Sequence, residues 1–175
     1  NELKNLIATG LTLEKKSMSI RYPKDTSYSY DENLSPEILE IGSWEKIKEG
    51  KRVAVLATGS MVGIVNSEYD NICDQLGFAP SLINARFIKP MDLDMLDEIE
   101  KEFDLIFTME EGALNGGFGS AVLEYFSDKN LNPNVIRMGI PDKFVEHATR
   151  QELLNNLGLS SNGLIQKIKE NLDNE

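Results

Sequence analysis

RVAVLATGSMVGIVNSEYDNICDQLGFAPSLINARF, Arg52 to Phe87, decides the fold class. RVAVLATG is an unbroken apolar run that ends in glycine, the pattern of a strand buried on both faces. SMVGIVNSEYDNICDQLG follows with apolar residues at 61, 62, 64, 65, 69, 72 and 76, the spacing of one amphipathic helix, and Gly77 suits a left-handed cap. SLINARF then repeats the strand. Strand, helix and strand in this order predict a parallel pair joined by a helical crossover.

Downstream the alternation continues. DLDMLDEIEKEF reads as a helix with Asp92 as its N-cap, DLIFTMEE as a strand, FGSAVLEYFSDKN as a helix and NVIRMGI as a further strand. Thr149 and Glu152 in TRQE match a capping box, and NGLIQKIKENL closes the chain as an amphipathic helix. The expected class is therefore α/β, a mostly parallel sheet of about five strands with helices on both faces. Upstream, Glu2 to Leu11 has helical spacing, SMSIRYP reads as a short strand stopped by Pro23, and LEIGSWEKIKEG adds another short strand. Between these, turn formers without a sustained period read as a linker over a surface. The chain opens mid-pattern and without an initiator Met, as a piece of something longer would.

Composition narrows the function. A net charge of -11 repels polyanions, and Lys and Arg are scattered, which argues against nucleic-acid binding. No run approaches the length of a membrane span. One cysteine, Cys73, excludes an intrachain disulfide and a cysteine metal cage, and suits a reducing, cytoplasmic setting. His147 is the single histidine, so it reads as flanking a helix start and not as a base, since no spacing gives it partners. No metal site and no catalytic residue is expected.

MEEGALNGGFGSAVLEY, Met109 to Tyr125, invites a phosphate-binding reading through its glycines at 112, 116, 117 and 119. The spacing fails it. Gly117, Phe118 and Gly119 lead to Val122 where a dinucleotide fingerprint needs its third glycine, and no lysine completes a Walker-type loop. Glu110 and Glu111 directly before the glycines would also oppose a phosphate. The remaining reading is a tight turn and close backbone approach, within the sheet or across a subunit contact. Because neighbouring strand residues point to opposite faces, only one of Glu110 and Glu111 can serve a given site. Arg86 in ARFIKPMD is the expected ion-pair partner of such a carboxylate.

RYPKD, LATGSMV, NARFIKPMD, MEEGALNGGFGSAVLEY and MGIPDKFVEHATRQELL, in this order, resemble the carboxyl-terminal part of the 1-deoxy-D-xylulose-5-phosphate synthase family over about Ser17 to Leu172. The E-E/N-x-A-x-x-G-G-x-G-S and G-x-P-D-x-F-x-x-H stretches together separate that family from its transketolase and pyruvate-dehydrogenase relatives. The resemblance implies three domains. An amino-terminal one holds thiamine diphosphate and magnesium, a middle one touches the pyrimidine, and the last corresponds to this chain. Residues 1–24 would then be the tail of the middle domain, 25–50 a linker, and 51–175 a transketolase C-terminal-like domain. It further implies a cytoplasmic homodimer that decarboxylates pyruvate and joins it to glyceraldehyde 3-phosphate for isoprenoid and thiamine synthesis, with this part inactive and without cofactor by itself.

Two positions depart from the family pattern. RYPKD stands where RYPRG is usual, so Lys24, with Arg21 beside it, is the candidate contact for the substrate's anionic group, as a point charge without arginine's fork. Ala148 replaces the glycine after the histidine. Glu110, Glu111, Gly116, Gly117, Gly119, Arg86, Asp142 and His147 are the implied structural and interface residues. Two other readings stay open: another thiamine-diphosphate enzyme such as a transketolase or a 2-oxoacid dehydrogenase β subunit, and a free-standing ligand-binding module.

Overall fold

A computed structural model describes residues 2–14, 16–23 and 31–172. In chain order the elements are α1 (Glu2–Leu11), β1 (Glu45–Lys48), β2 (Val53–Ala57), α2 (Ser60–Ser67), α3 (Tyr69–Leu76), β3 (Ser81–Asn84), α4 (Leu93–Glu102), β4 (Leu105–Ala113), α5 (Phe118–Asp128), β5 (Asn134–Ile140), α6 (Arg150–Asn156) and α7 (Ser161–Leu172). The five strands form one sheet in the order β1-β3-β2-β4-β5. Only β1 runs antiparallel, against β3, and the other pairs are parallel. The expected mostly parallel α/β sheet is what the chain builds.

Alternation along β2 divides the core in two. Val53, Val55 and Ala57 face Met61, Val65, Ile72, Leu154, Leu164 and Ile168, contributed by α2, α3, α6 and α7. Ala54 and Leu56 face Leu96, Ile99, Val122 and Phe126 from α4 and α5, with Trp44 closing that side. All five β2 residues are fully buried, as expected for a central strand covered on both faces. Trp44 is fixed there by its indole N–H, which donates to the Phe87 carbonyl at 2.8 Å.

Local signals hold where the chemistry is local. Asp92 caps α4 by accepting from the Met95 N–H at 3.0 Å, Gly77 ends α3 at φ 74°, and the Thr149–Glu152 capping box starts α6. Two expectations are corrected. Residues 60–76 form two helices instead of one, because Glu68 leaves helical geometry at φ -106°, ψ 14°. The break keeps Tyr69 on the sheet, where its hydroxyl donates to the Pro80 carbonyl at 2.7 Å. Ser17 to Pro23 form no strand, since no strand among the described residues pairs with them; Met18 packs instead beside Gly10 of α1 and onto the α4/α5 side of the core.

Candidate functional site

Open parallel sheets place ligands beyond the carboxyl ends of their strands, where the strand order reverses. Here the chain runs from β2 to β3 on one side and returns to β4 on the other, so the crevice lies between the ends of β2 and β4. Glu110 and Glu111 leave β4 at that end and, as strand geometry requires, serve different faces.

Glu110 is buried. Its two carboxylate oxygens accept from the Phe118 and Gly119 N–H groups, each at 2.9 Å. These amides open α5, where unpaired N–H groups and the helix dipole favour an anion. The place that a bound phosphate takes in a nucleotide loop is held by the chain's own carboxylate. Glycine is required at Gly117 because a Cβ there would lie 2.1 Å from the Ala113 carbonyl oxygen and 2.5 Å from a Glu110 oxygen. At Gly119 it would lie 2.4 Å from Thr108 Oγ1. Gly116 turns the loop at φ 71° and donates its N–H to Ser120 Oγ at 3.1 Å. Arg137 ties the loop down from β5, donating to the Leu114 carbonyl at 2.6 Å and to Ser120 Oγ at 2.8 Å.

Glu111 closes the crevice from the other face. Ser60 at the start of α2 donates its hydroxyl to Oε2 at 2.6 Å. Arg150 at the start of α6 donates from Nε at 3.1 Å and from Nη2 at 2.7 Å, a two-pronged grip on the carboxylate. Hydrogen bonding from Arg150, then from Ser60, holds the Glu111 carboxyl below its ordinary range against partial burial. Next to this cluster is an apolar recess of about 350 Å³, walled by Ile140, Val145, Leu153, Leu157 and Leu159.

The other expected residues stand apart. Arg86 is the partner of neither glutamate, a correction of the expected ion pair. It leaves the end of β3 on the side away from β4 and donates to the Ser43 carbonyl and hydroxyl, both at 2.9 Å, with Glu45 at 3.5 Å. Asp142 and His147 are exposed on the segment between β5 and α6. Arg21 is exposed, and Lys24 lies outside the described residues. Arg150, Ser60 and Arg137 were not singled out in the sequence; Arg150 is 39 positions from Glu111, and no local period carries such a pairing.

The polar groups of the crevice are engaged with one another. Among the described residues no three His, Cys, Asp or Glu side chains converge on a metal position. No described helix is long and apolar enough to cross a membrane. A diphosphate with its magnesium does not fit here, because the amides at the start of α5 are already taken by Glu110 and the β2/β4 crevice by Glu111 and Arg150.

The fold is a doubly wound α/β domain whose strand-end crevice is filled by its own side chains. The chain belongs to the transketolase C-terminal domain family, whose model matches residues 42–164. More particularly, it is 38% identical over 172 residues to the 1-deoxy-D-xylulose-5-phosphate synthase of Halalkalibacterium halodurans, covering 97% of this chain and 27% of that protein. The synthase of Aquifex aeolicus is 34% identical, with 98% and 27% covered. The chain thus spans about a quarter of the length of the curated relatives it matches. A structure titled as a split-gene transketolase, inactive beta4 tetramer, is similar at TM-score 0.69 and 30% identity, over 80% of this chain and 46% of that one. Transketolase from Campylobacter jejuni shares the fold at TM-score 0.53 and 16% identity, over 74% and 18%.

Proposed function

We propose that this chain is the C-terminal domain of a 1-deoxy-D-xylulose-5-phosphate synthase and serves it as architecture. The observation that carries the reading is the 38% identity along 97% of this chain to a protein of that name, matched over only 27% of that protein's length. The whole enzyme decarboxylates pyruvate and joins the two-carbon unit to glyceraldehyde 3-phosphate, supplying isoprenoid and thiamine synthesis in the cytoplasm. Thiamine diphosphate supplies the carbanion chemistry when bound, and it and magnesium sit on the parts of the enzyme outside this chain. Residues 1–24 are the tail of the middle domain, 25–50 a linker and 51–175 the C-terminal domain. Arg21 and Lys24 reach the substrate's phosphate from that tail.

The domain's own work is to brace its neighbours and to take part in a homodimer. Glu110 in its glycine cradle and the Glu111–Arg150 pair give it a rigid strand-end surface for that purpose.

The test pairs two samples. The longest protein translated from this reading frame is assayed for 1-deoxy-D-xylulose 5-phosphate formation, and the 175-residue chain is titrated with thiamine diphosphate and magnesium by calorimetry. Turnover by the long protein with no binding heat from the short one is the expected result. Cofactor binding by the 175-residue chain, or a long protein that acts only on transketolase substrates, would overturn the reading.

A further inference from the structure

The segment PDKFVEHA, residues 141–148, joins β5 to α6 without regular structure. At its centre Phe144 is 104% exposed, further into solvent than any other large apolar side chain described. A phenylalanine so placed leaves unburied the large apolar area that such rings contribute to cores and interfaces. Directly beside it lies the apolar recess of about 350 Å³, whose wall includes Val145 and Ala148 of the same segment. That volume is at the small end of the range for ligand pockets and ample for one ring. Val145 faces the recess and its neighbour Phe144 faces away, so the ring does not fill the hollow of its own chain. A projecting ring and a hollow for a ring therefore sit one residue apart on one surface.

We propose that this surface docks a second copy of the chain, the Phe144 ring of each copy entering the recess of the other across a two-fold axis near Val145. A two-fold contact must use one patch that complements itself, and a knob adjoining its own kind of hole meets that condition. The rim meets it too. Exposed Lys143 stands between Asp142 and exposed Glu146, so apposed copies can set the lysine of one against the acids of the other. These crossed pairs, two acids to one lysine in each copy, matter in a chain whose net charge of -11 otherwise opposes self-association. The proposal rests on the homodimer reading above and names the face.

Sedimentation equilibrium of the 175-residue chain over a wide concentration range tests it, with Phe144→Ala, Ala148→Phe and an equimolar mixture of the two. The wild type should dimerise reversibly, and each variant alone should weaken the Kd at least tenfold. Phe144→Ala keeps an open hole and Ala148→Phe keeps the knob, so the mixture should form a heterodimer of intermediate Kd through one remaining contact. Phe144→Ala removes a solvated ring and should leave the melting curve of the dilute, monomeric chain unchanged, so its loss of dimer cannot be put down to misfolding and stands as a test even where Ala148→Phe fails to fold. A dimer whose Kd ignores Phe144→Ala, a mixture no better than its components, or a wild type monomeric throughout would overturn the face. The longer protein separates the two ideas: a Phe144→Ala variant that stays as dimeric there as the wild type refutes only the face, and a wild-type longer protein that is monomeric refutes the homodimer as well.

Discussion

The sheet unit from β2 onward and the helix α1 at the other end of the chain are held in place by different physics. Every residue of β2 is buried, and both faces of the sheet carry continuous apolar clusters. In α1 the single buried residue is Thr9, while Leu3, Ile7 and Leu11 form a stripe at i, i+4 and i+8 that faces solvent. Polar ties hold this helix: Thr9 Oγ1 accepts from the Leu39 N–H at 2.8 Å, Asn5 Oδ1 accepts from the Glu37 N–H at 3.1 Å, and Asn84 Nδ2 donates to Glu2. Leu6 adds a half-buried contact with the α4/α5 side of the core. Ten residues make a marginal helix without packing. An apolar stripe on so short a helix supports the reading of residues 1–24 as a piece of a neighbouring domain, and it implies that the two regions should respond differently to substitution and to pH.

The largest effect belongs to the sheet unit. Gly117→Val puts a side chain against the Ala113 carbonyl, a backbone atom that cannot swing aside, and against Glu110. Overpacking of this kind should cost about 3 kcal/mol, read as a lower urea midpoint at unchanged m-value. A loss below about 1 kcal/mol would show that the cradle is loose. Glu110→Gln comes next. The amide keeps one acceptor for two helix-opening N–H groups and turns its own N–H toward the other, so about 2 kcal/mol should be lost. Both losses should appear as global unfolding, with α1 and the sheet melting together or α1 first.

Why these two residues matter was half legible in the sequence. The failed fingerprint around Gly117 and Gly119 ruled out a nucleotide loop, and the strand period separated Glu110 from Glu111. That the cradled anion is Glu110 itself depends on β4 delivering its carboxylate to the start of α5, a closure set by the sheet. The same division runs through the molecule. Gly77, Asp92 and the Thr149–Glu152 pair act within one turn of chain, so propensity and spacing reveal them. The break at Glu68 leaves the apolar period intact on both sides, so periodicity alone reads through it. Ser17–Pro23 carries strand-like residues, yet a strand exists only with a partner. Arg150 reaches Glu111 and Arg86 reaches Ser43 through topology that no local window contains.

Smaller effects sharpen the contrast from the helix side. Thr9→Val preserves shape and removes the oxygen that accepts from Leu39, so the tie between α1 and residues 31–41 should weaken by about 1 kcal/mol. Amide exchange at Leu39 and through α1 should quicken while β2 amides stay protected. If β2 amides quickened equally, the two regions would be one cooperative unit.

The pH responses should have opposite signs. Burial, outweighing the Asn84 hydrogen bond and the charge of Arg86, raises the Glu2 carboxyl above its ordinary 4.5. The folded state therefore favours its protonated form, a contribution present below 4.5 and lost as pH rises through the raised value. Glu111 is lowered, so its contribution is complete above 4.5 and lost as pH falls through the depressed value. Partial exposure keeps the Glu111 effect below about 1 kcal/mol. Glu2→Gln should flatten the pH dependence of α1 protection above 4.5, after correction for intrinsic exchange, and Glu111→Gln should flatten that of global stability below it. A swap of these two signatures would refute the assignments.

The smallest effect is the most telling about α1. Ile7 is 48% exposed, on the stripe shared with Leu3 and Leu11. If that stripe packs on nothing within this chain, Ile7→Ser should change stability by less than about 0.5 kcal/mol, the range of ordinary surface substitutions, and should raise solubility by removing apolar surface. In the longer protein the same change should cost about 2 kcal/mol, because there the stripe is expected to be covered and the serine would leave a buried hollow and an unpaired hydroxyl. Equal small effects in both contexts would mean that the stripe faces water throughout, and that residues 1–24 belong to the C-terminal unit and to no other.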